Sequence, residues 1–457
     1  ILWGDGQVLI IMLLACGIWF TVKLGGVQLR HFGHMFSLLK GSNTSTKDGI
    51  SSFQALCTSL SARVGTGNLA GVAVAISLGG AGAIFWMWMI ALLGMATGFA
   101  ESVLGQLYKV RDENGEFRGG PAYYIKQGLN KTWLAVAFSL CLFFGYGFVF
   151  SAVQANTITD ALNNAYSFPT EYVGLAIIAL AALIVVGGLK SIARFAEFVV
   201  PFMGIGYVLV ALAITFINIS ELPAMLLDIV KSAFGLQEAG AGALGAAIKN
   251  GIQRGLYSNE AGSGSVPHAA ASAVPNPNHP VSQGYIQMLG VFLDTLVLCT
   301  STAFIILLAG GSSSDQMEGI RLTQDAMSSH LGEGGTDFVA AAISLFAFTS
   351  VVANYAYGES NLHMFKLDNK IGRAVYTIGY LGMIYWGAQA ALPQVWAMAD
   401  MALGLMTVIN IIAIVWMTPT IVSISKDYFK KKDSGANMEY KAGDCEIQGK
   451  SEDGIWD

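Results

Sequence analysis

The sequence predicts an all-α polytopic membrane protein of eleven transmembrane helices, with one extra N-terminal helix followed by two five-helix halves of opposite orientation. Three observations support this fold class. Of the 457 residues, 54% are hydrophobic and only 12% are charged, whereas soluble domains carry about 25% charge. Apolar runs long enough to cross a bilayer recur along most of the chain. Two of these runs are interrupted by glycine-rich polar segments at equivalent positions.

Eleven apolar segments come close to the length of about 20 residues that a spanning helix needs. Strands of a membrane β-barrel would instead alternate over about 10 residues. We number the predicted spans 0 to 10, with limits 5–24, 51–78, 82–108, 133–163, 171–188, 192–218, 240–270, 283–309, 336–363, 372–390 and 393–425. The predicted units are an extra helix with a cytoplasmic linker (1–50), a first repeat (51–218), a second repeat (236–425) and a mixed-charge, partly disordered tail (426–457).

Positive charges are distributed unevenly among the predicted loops. If the N-terminus lies outside, the inner loops and the tail hold 20 of the 25 lysines and arginines. The outer loops then hold only Lys231 and Arg321. Cytoplasmic loops carry an excess of Lys and Arg. The pattern therefore predicts a multi-pass protein of the plasma membrane with its N-terminus outside and its tail in the cytoplasm.

Spans 1 and 6 contain matching interruptions. Span 1 includes the run from Gly65 to Asn68, Gly-Thr-Gly-Asn, and span 6 includes Gly262-Ser263-Gly264 followed by Pro267. A glycine costs about 1 kcal/mol in a helix interior, and proline removes a backbone donor. One Gly-x-Gly alone would indicate a packing groove, but two at equivalent positions favour discontinuous helices. Each break leads five spans, so the halves form an inverted repeat, which is typical of secondary transporters.

Broken helices leave backbone groups unpaired at membrane depth, where only protein or a wet cavity can satisfy them. The N–H groups of Gly65, Thr66 and Gly67 lie at the start of a half-helix and suit a carboxylate. Carbonyl groups at the ends of the other half-helices suit an ammonium group or a sodium ion. An amino acid zwitterion presents both charges, so the breaks predict an amino acid as the ligand.

The segment 79–94, GGAGAIFWMWMIALLG, closely resembles the signature of the alanine-or-glycine:cation symporter family, the sodium:alanine symporters. The segments SARVGTGNLAGVA and SNEAGSGSVPHAAA also resemble segments of this family, and the resemblance covers nearly the whole chain. It implies sodium-coupled symport of alanine or glycine by alternating access. It also implies an architecture similar to that of transporters with the leucine-transporter (LeuT) fold.

The run Val-Gly-Thr-Gly-Asn at 64–68 resembles the break in span 1 of the LeuT fold, which implies two binding sites. Substrate and sodium would lie on either side of this break, and span 8 would supply sodium ligands at i, i+3 and i+4 on one helical face. Hydroxyl groups in an apolar helix can equally bond to their own backbone. The implied substrate-binding residues are Gly65, Thr66, Gly67, Asn68, Gln154, Asn259, Gly262 and Ser263. The implied sodium ligands are the carbonyls of Ser61, Val64 and Phe346 and the hydroxyls of Thr349 and Ser350.

Arg63 stands beside the first break, where the LeuT fold usually has a small residue. A guanidinium group cannot remain unpaired in lipid. Glu260 at the second break is the predicted partner, in a structural ion pair or a gate. Glu101, Glu197 and Glu359 are the alternatives.

Several polar residues in the other spans are weaker candidates for a functional role. Span 3 carries Gln154 and Asn156, of which Gln154 is the better candidate to face the cavity. Asp294 in span 7 is either a packed, hydrogen-bonded acid or a proton relay. Arg254 in span 6 and Asp400 in span 10 are predicted to pair as an outer gate.

The sequence also argues against other classes of function. It contains no HExxH, GxSxG or Walker motif, so no catalytic residue and no enzyme activity is predicted. The net charge of −5 offers no basic patch for nucleic acid. The expected partners are an amino acid, sodium and the lipid bilayer. The alternatives are a proton-coupled carrier of another small amino acid and, with less support, an ion channel, for which no continuous polar pore is visible.

Overall fold

The computed structural model describes residue 3 and residues 7–42, 49–113, 115–236, 241–310 and 319–456. The predicted starts of spans 0 and 6, at residues 5, 6 and 240, lie outside these ranges. In the first half the helices are α1 (Val8–Lys23), α2 (Val27–Arg30), α3 (Phe32–Leu39), α4 (Ser52–Arg63), α5 (Val72–Gly79), α6 (Gly82–Leu107), α7 (Pro121–Leu129), α8 (Thr132–Phe144), α9 (Phe150–Tyr166), α10 (Thr170–Val185), α11 (Gly188–Ile217) and α12 (Leu222–Ala233).

The second half is also largely helical. Its helices are α13 (Ala241–Asn259), α14 (Val266–Ala271), α15 (Pro280–Val291), α16 (Thr300–Leu308), α17 (Ile320–Leu331), α18 (Gly334–Met364), α19 (Lys370–Gln389), α20 (Leu392–Trp416) and α21 (Thr418–Ser434). Three π-helical turns lie at Gly67–Gly71, Gly145–Val149 and Phe292–Cys299. Two of them join α8 to α9 and α15 to α16, so that each pair forms one continuous helix.

Six helices among the described residues are long and apolar enough to cross a membrane, judged by length and composition. They are Gly82–Leu107, Thr132–Tyr166, Gly188–Ile217, Pro280–Leu308, Gly334–Met364 and Leu392–Trp416. They coincide with the predicted spans 2, 3, 5, 7, 8 and 10, except that span 10 ends earlier than predicted. Shorter apolar helices stand at Val8–Lys23, Gly67–Gly79 and Thr170–Val185. The count of eleven spans stays a prediction.

The interrupted helices lie at the centre of the bundle. Helix α6 packs along α13 and α15, and α9 packs along α18 and α19. Helix α4 packs against α11 and α18. Both predicted breaks are present: α4 ends at Arg63 and α13 ends at Asn259, each followed by irregular backbone and then by a second helical piece.

Two short β-ladders lie at one end of the bundle. Strand β1 (Ile50–Ser51) pairs in parallel with β4 (Ala273–Val274), which joins the start of α4 to the segment after α14. Strands β2 (Val110–Arg111) and β3 (Phe117–Arg118) form an antiparallel pair after α6. The β1–β4 ladder therefore ties the start of the first broken span to the end of the second.

The prediction that the tail is partly disordered is wrong for its described residues. Helix α21 continues to Ser434, and the segment after it folds back onto the bundle. Tyr440 and Trp456 are only 2% and 1% exposed. The Trp456 indole N–H donates to the Leu107 carbonyl at 3.0 Å. These buried aromatic side chains hold the tail in place.

Candidate functional site

A small cavity lies between the two breaks. Its volume is about 10 Å³, which leaves room for about one water molecule. Its lining residues are Ala62, Arg63, Tyr146, Phe150, Gln154, Tyr257, Glu260, Asn354 and Leu403. Three of these, Arg63, Gln154 and Glu260, were predicted as site residues from the sequence. An amino acid therefore fits here only if at least one lining side chain moves.

Two of the three predicted backbone donors of the first break, those of Gly65 and Thr66, have side-chain partners within the protein. Val64 is extended, with φ −77° and ψ 93°, which ends α4 and turns the following amides away from the helix axis. The Gly65 N–H donates to the Asn68 Oδ1 at 2.9 Å. The Thr66 N–H and hydroxyl both donate to Gln154 Oε1, at 2.9 and 2.8 Å. The Gly65 and Thr66 donors, predicted to bind a substrate carboxylate, thus contact two side-chain carbonyl oxygens.

Gly65 permits this close approach. A Cβ atom at this position would lie 2.6 Å from Gln154 Oε1 and would also collide with the Ser350 hydroxyl. No real Cβ atom tolerates such distances, so only glycine brings span 1 this close to both α9 and α18.

The second break is held by a carboxylate from another helix. The amides of Gly262 and Gly264 donate to the two oxygens of Glu101 on α6, each at 3.1 Å. The Asn410 amide group donates to Glu101 at 2.7 Å and to the Gly262 carbonyl at 2.9 Å. Tyr124 in turn donates to Asn410. Glu101, Asn410 and Tyr124 therefore satisfy the backbone that the break leaves unpaired.

This arrangement differs from the prediction for Asn259, Gly262 and Ser263 as substrate-binding residues. The Asn259 Oδ1 accepts from the Ala261 amide at 3.0 Å, and the Ser263 hydroxyl donates to the Glu260 carbonyl at 2.7 Å. Gly262, with φ +92°, faces Thr97 and not the cavity. These three residues shape the break, although the Asn259 Nδ2 has no hydrogen-bond partner among the described residues.

The five predicted sodium ligands come together between α4 and α18. The Ser61 hydroxyl donates to the Thr349 carbonyl at 2.8 Å, and the Thr349 hydroxyl lies 3.5 Å from the Ser61 carbonyl. The Ser350 hydroxyl lies 3.3 Å from the Val64 carbonyl. Both span 8 hydroxyls also donate to the Phe346 carbonyl, at 2.8 and 3.2 Å. Three carbonyls and two hydroxyls thus form a buried cluster of neutral oxygens.

Such a cluster suits a hard monovalent cation. Carbonyl groups of an unwound helix coordinate sodium in discontinuous-helix transporters. Across the described ranges, no group of three or more His, Cys, Asp or Glu side chains is placed to hold a metal ion. A cation at this point would be held by carbonyl and hydroxyl oxygens, because a hydroxyl can bind a cation through a lone pair while its hydrogen still donates to its own helix.

The predicted ion pair between Arg63 and Glu260 is not formed. Both side chains line the cavity, but the Arg63 Nη1 donates to the Gln287 carbonyl at 3.4 Å, and Glu260 Oε2 accepts from the Ser265 hydroxyl at 2.6 Å. The Arg63 Nε and Nη2 have no hydrogen-bond partner in the described part of the chain. The reason is local: Glu260 has φ +59° and turns back onto the half-helix that follows it.

The alternative acids for Arg63 are also engaged elsewhere. Glu101 holds the second break, as described above. Glu197 accepts from Gln54 at 2.8 Å, and Glu359 lies 3.5 Å from Arg373. Arg63 therefore forms no ion pair within 4 Å among the residues that the structure describes.

Arg254 and Asp400 pair on one side of the cavity. The Arg254 Nη2 lies 2.8 and 2.6 Å from the two Asp400 oxygens. The guanidinium group also lies 4.4 Å from the centre of the Trp396 ring, which packs on Tyr257 at 4.7 Å. Because Tyr257 lines the cavity, this pair covers one wall of it. Its role as a gate stays a prediction.

Two further polar groups join helices of the bundle: Asp294 bonds to both broken spans, and Asn156 joins α9 to the end of α19. Asp294 in span 7 accepts from Asn68 at 2.7 Å, from Ser258 at 2.7 Å and from Thr295 at 2.8 Å. Asp294 is thus a packed acid whose partners come from both broken spans. Asn68, predicted to bind substrate, points into this network. Asn156 donates to the Gly387 and Ala390 carbonyls at the end of α19.

Sequence reasoning missed Glu101, Asn410 and Ser258 as parts of the site. Glu101 was considered only as a partner of Arg63. The available signal was a buried acid in the middle of an apolar helix, which requires a partner wherever it occurs.

The chain is similar to known proteins over most of its length. Residues 1–442 match the model of a family described as the sodium:alanine symporter family. The chain is 47% identical over 436 residues to the probable sodium/glutamine symporter GlnT of Bacillus subtilis (strain 168), covering 95% of this chain and 90% of that protein. It is 44% identical over 431 residues to the amino-acid carrier protein AlsT of the same organism, covering 94% and 91%. It is 37% identical over 433 residues to the sodium/alanine symporter AgcS of Methanococcus maripaludis, covering 93% and 94%.

Proposed function

The chain belongs to the sodium:alanine symporter family, a family of membrane transporters, and on that premise we propose that it carries alanine or glycine together with sodium by alternating access. One observation carries the proposal. The oxygens of Ser61, Val64, Phe346, Thr349 and Ser350 converge at the first break, directly beside the Thr66 donors. A cation cluster and a carboxylate-binding group therefore share one short segment of backbone.

The proposed architecture is a LeuT-like inverted repeat of eleven spans. The extra helix and linker occupy 1–50, the repeats 51–218 and 236–425, and the cytoplasmic tail 426–457. Two interrupted helices, each leading five predicted spans, support this arrangement. The excess of Lys and Arg in alternate loops supports an N-terminus outside and a tail inside the cell.

The mechanism couples the two ligands through span 1. Sodium held by the Val64 carbonyl and the span 8 hydroxyls would fix the end of α4 against α18. The Thr66 amide, two residues further on, would then be fixed in position to bind the substrate carboxylate. Because sodium orders the segment that binds the substrate, each ligand raises the affinity for the other, as linkage requires. The Arg254–Asp400 pair would close one side of the cavity in this cycle.

Large side chains set the size of the accepted substrate. Tyr146, Phe150, Tyr257 and Leu403 line the cavity, so a bulky substrate would overpack it at a cost of about 1–3 kcal/mol. Glycine and alanine should fit, and leucine should be excluded. Glutamine is the second candidate substrate, because one similar relative is named a probable sodium/glutamine symporter. Its side chain is at least as large as that of leucine, so its transport would contradict the size limit argued from the cavity.

Uptake into proteoliposomes tests the proposal. Labelled alanine, glycine, glutamine and leucine would be offered with an imposed sodium, potassium or proton gradient. Alanine or glycine uptake driven by sodium alone, with exchange of labelled for unlabelled alanine, is the expected result. Uptake driven by protons alone would favour the proton-coupled alternative. Flux without such exchange would indicate a channel, and glutamine uptake far above alanine uptake would reassign the substrate.

A further inference from the structure

Gln154 stands where a substrate carboxylate is expected. Its Oε1 atom accepts from the Thr66 N–H at 2.9 Å and from the Thr66 hydroxyl at 2.8 Å. A carboxylate oxygen bound to the first break would accept from the same two donors. Both residues are buried, with Thr66 0% and Gln154 4% exposed. The Gln154 Oε1 thus occupies both Thr66 donors, so a carboxylate oxygen can bind to these donors only when Gln154 has left them.

The surroundings leave little room for a carboxylate beside Thr66 while Gln154 stays in place. The cavity that Gln154 lines measures about 10 Å³, which is room for about one water molecule. The neighbouring Gly65 amide is already bound to Asn68. A Cβ atom at Gly65 would lie 2.6 Å from Gln154 Oε1, so the side chain is packed tightly against the break.

We infer that Gln154 is an internal competitor of the substrate: its side-chain amide holds the carboxylate-binding donors of Thr66, and the substrate binds by displacing it. This inference rests on the proposed function and specifies how its substrate site works. Displacement exchanges two neutral hydrogen bonds for two charge-assisted ones, which are shorter and roughly twice as strong. A ligand that lacks a carboxylate cannot make this exchange with the same gain. Gln154 thereby makes the carboxylate a requirement of binding.

Competition and direct contact predict opposite effects of the same substitution. If Gln154 were a ligand of the substrate, its loss would weaken binding. If it is a competitor, the apparent affinity is reduced by the fraction of molecules in which the Thr66 donors are free. Two hydrogen bonds of typical net strength correspond to a shift of about 5- to 150-fold, and a tenfold shift lies toward the lower end of this range. The Gln154→Leu variant, which is similar in size but carries no acceptor, should therefore bind alanine about tenfold more tightly.

The Gln154→Glu variant tests the same idea in the other direction. Its carboxylate has the length of the native amide and is a stronger acceptor for the Thr66 donors. It should raise the dissociation constant for alanine at least about tenfold. Asn156→Asp is the matched control, since it places a carboxylate two residues away on the same helix, where the native side chain faces α19 and not Thr66.

The experiment measures the dissociation constant of alanine, at saturating sodium, for the purified wild-type protein and the three variants. Stabilisation by sodium alone, measured as a shift in the melting temperature, verifies that each variant is folded. Tighter binding by Gln154→Leu with weaker binding by Gln154→Glu supports the inference. A dissociation constant of Gln154→Leu at or above that of wild type, or wild-type affinity in Gln154→Glu, overturns it. If the wild type binds neither alanine, glycine nor glutamine, the proposed function fails and the inference with it.

Discussion

The hydroxyl groups of Thr349 and Ser350 each face a carbonyl oxygen of span 1 and a carbonyl oxygen of their own helix. Neither contact with span 1 is short, at 3.5 and 3.3 Å. Such distances leave the carbonyls of Ser61 and Val64 free to turn toward a cation. The hydroxyls are therefore better placed to serve a ligand than to hold the two helices together.

Removing either hydroxyl should weaken sodium activation. Thr349→Ala and Ser350→Ala each delete one of five oxygens, at a cost of about 1–3 kcal/mol for a missing polar partner. The sodium concentration for half-maximal uptake should rise by about 5- to 150-fold. Ser344→Ala on the same helix is the control, because Ser344 donates only to Ala340 of its own helix. Equal sodium activation in all three variants would exclude this cluster as the sodium site.

The Arg254–Asp400 pair should contribute measurably to stability. Arg254 is 5% exposed and lies within 2.8 Å of both Asp400 oxygens. Breaking a buried pair costs about 3–5 kcal/mol, largely because one charge is left without a partner. Arg254→Ala should therefore lower the melting temperature more than the double variant Arg254→Ala/Asp400→Ala does. A double variant whose loss equals the sum of the single losses would show that the two charges do not interact.

The sequence of one helix creates each break, but side chains of other helices bind the backbone groups that the break leaves unpaired. The glycine-rich run of the second break determines where α13 stops, whereas Glu101 on α6 and Asn410 on α20 bind the freed backbone groups. An unpaired backbone amide cannot be tolerated at membrane depth. The interruption of one helix therefore depends on a carboxylate that is distant in sequence.

Loss of this carboxylate should destabilise the fold. Glu101→Ala leaves the Gly262 and Gly264 amides without an acceptor, at about 1–3 kcal/mol for each buried group, and Asn410 keeps only its bond to the Gly262 carbonyl. Glu101→Gln retains one carbonyl oxygen and should lose less. The measurement is thermal unfolding of the solubilised protein, with Glu171→Ala, an exposed acid on α10, as the control. An unfolding temperature of Glu101→Ala equal to that of the control would refute the role of Glu101 in holding the break.

The positions of the breaks could be predicted from the sequence because glycine and proline act locally. The same holds for the apolar spans, whose length is set by the bilayer. The partners of the breaks could not be predicted, because Glu101, Asn410 and Gln154 approach them from other helices. Arg63 and Glu260 illustrate the limit: their positions near the breaks were correct, but a positive φ at Glu260 turns its side chain toward Ser265.

At the scale of the whole molecule, the tail connects elements that are far apart in sequence. The backbone carbonyl of Gln448 accepts a hydrogen bond from the Tyr108 hydroxyl, which lies just after α6. The backbone N–H of Gln448 donates to the Thr420 hydroxyl on α21. The Trp456 ring lies 5.5 Å from Tyr440 and 4.9 Å from the Lys109 amine. A polar segment with isolated aromatic residues has no periodic pattern, so the sequence alone could not reveal that it is docked.

Trp456→Ala should release the tail from the bundle. The substitution removes a fully buried tryptophan, which typically costs about 3–5 kcal/mol. It also removes the hydrogen bond to Leu107. Trypsin should then cleave after Lys441 and Lys450 faster than in the wild type, because both residues are exposed and only the packing around them limits access. Trp133→Ala is the matched control, since Trp133 is 70% exposed. Equal cleavage rates at these lysines in the two variants would mean that Trp456 does not hold the tail against the bundle.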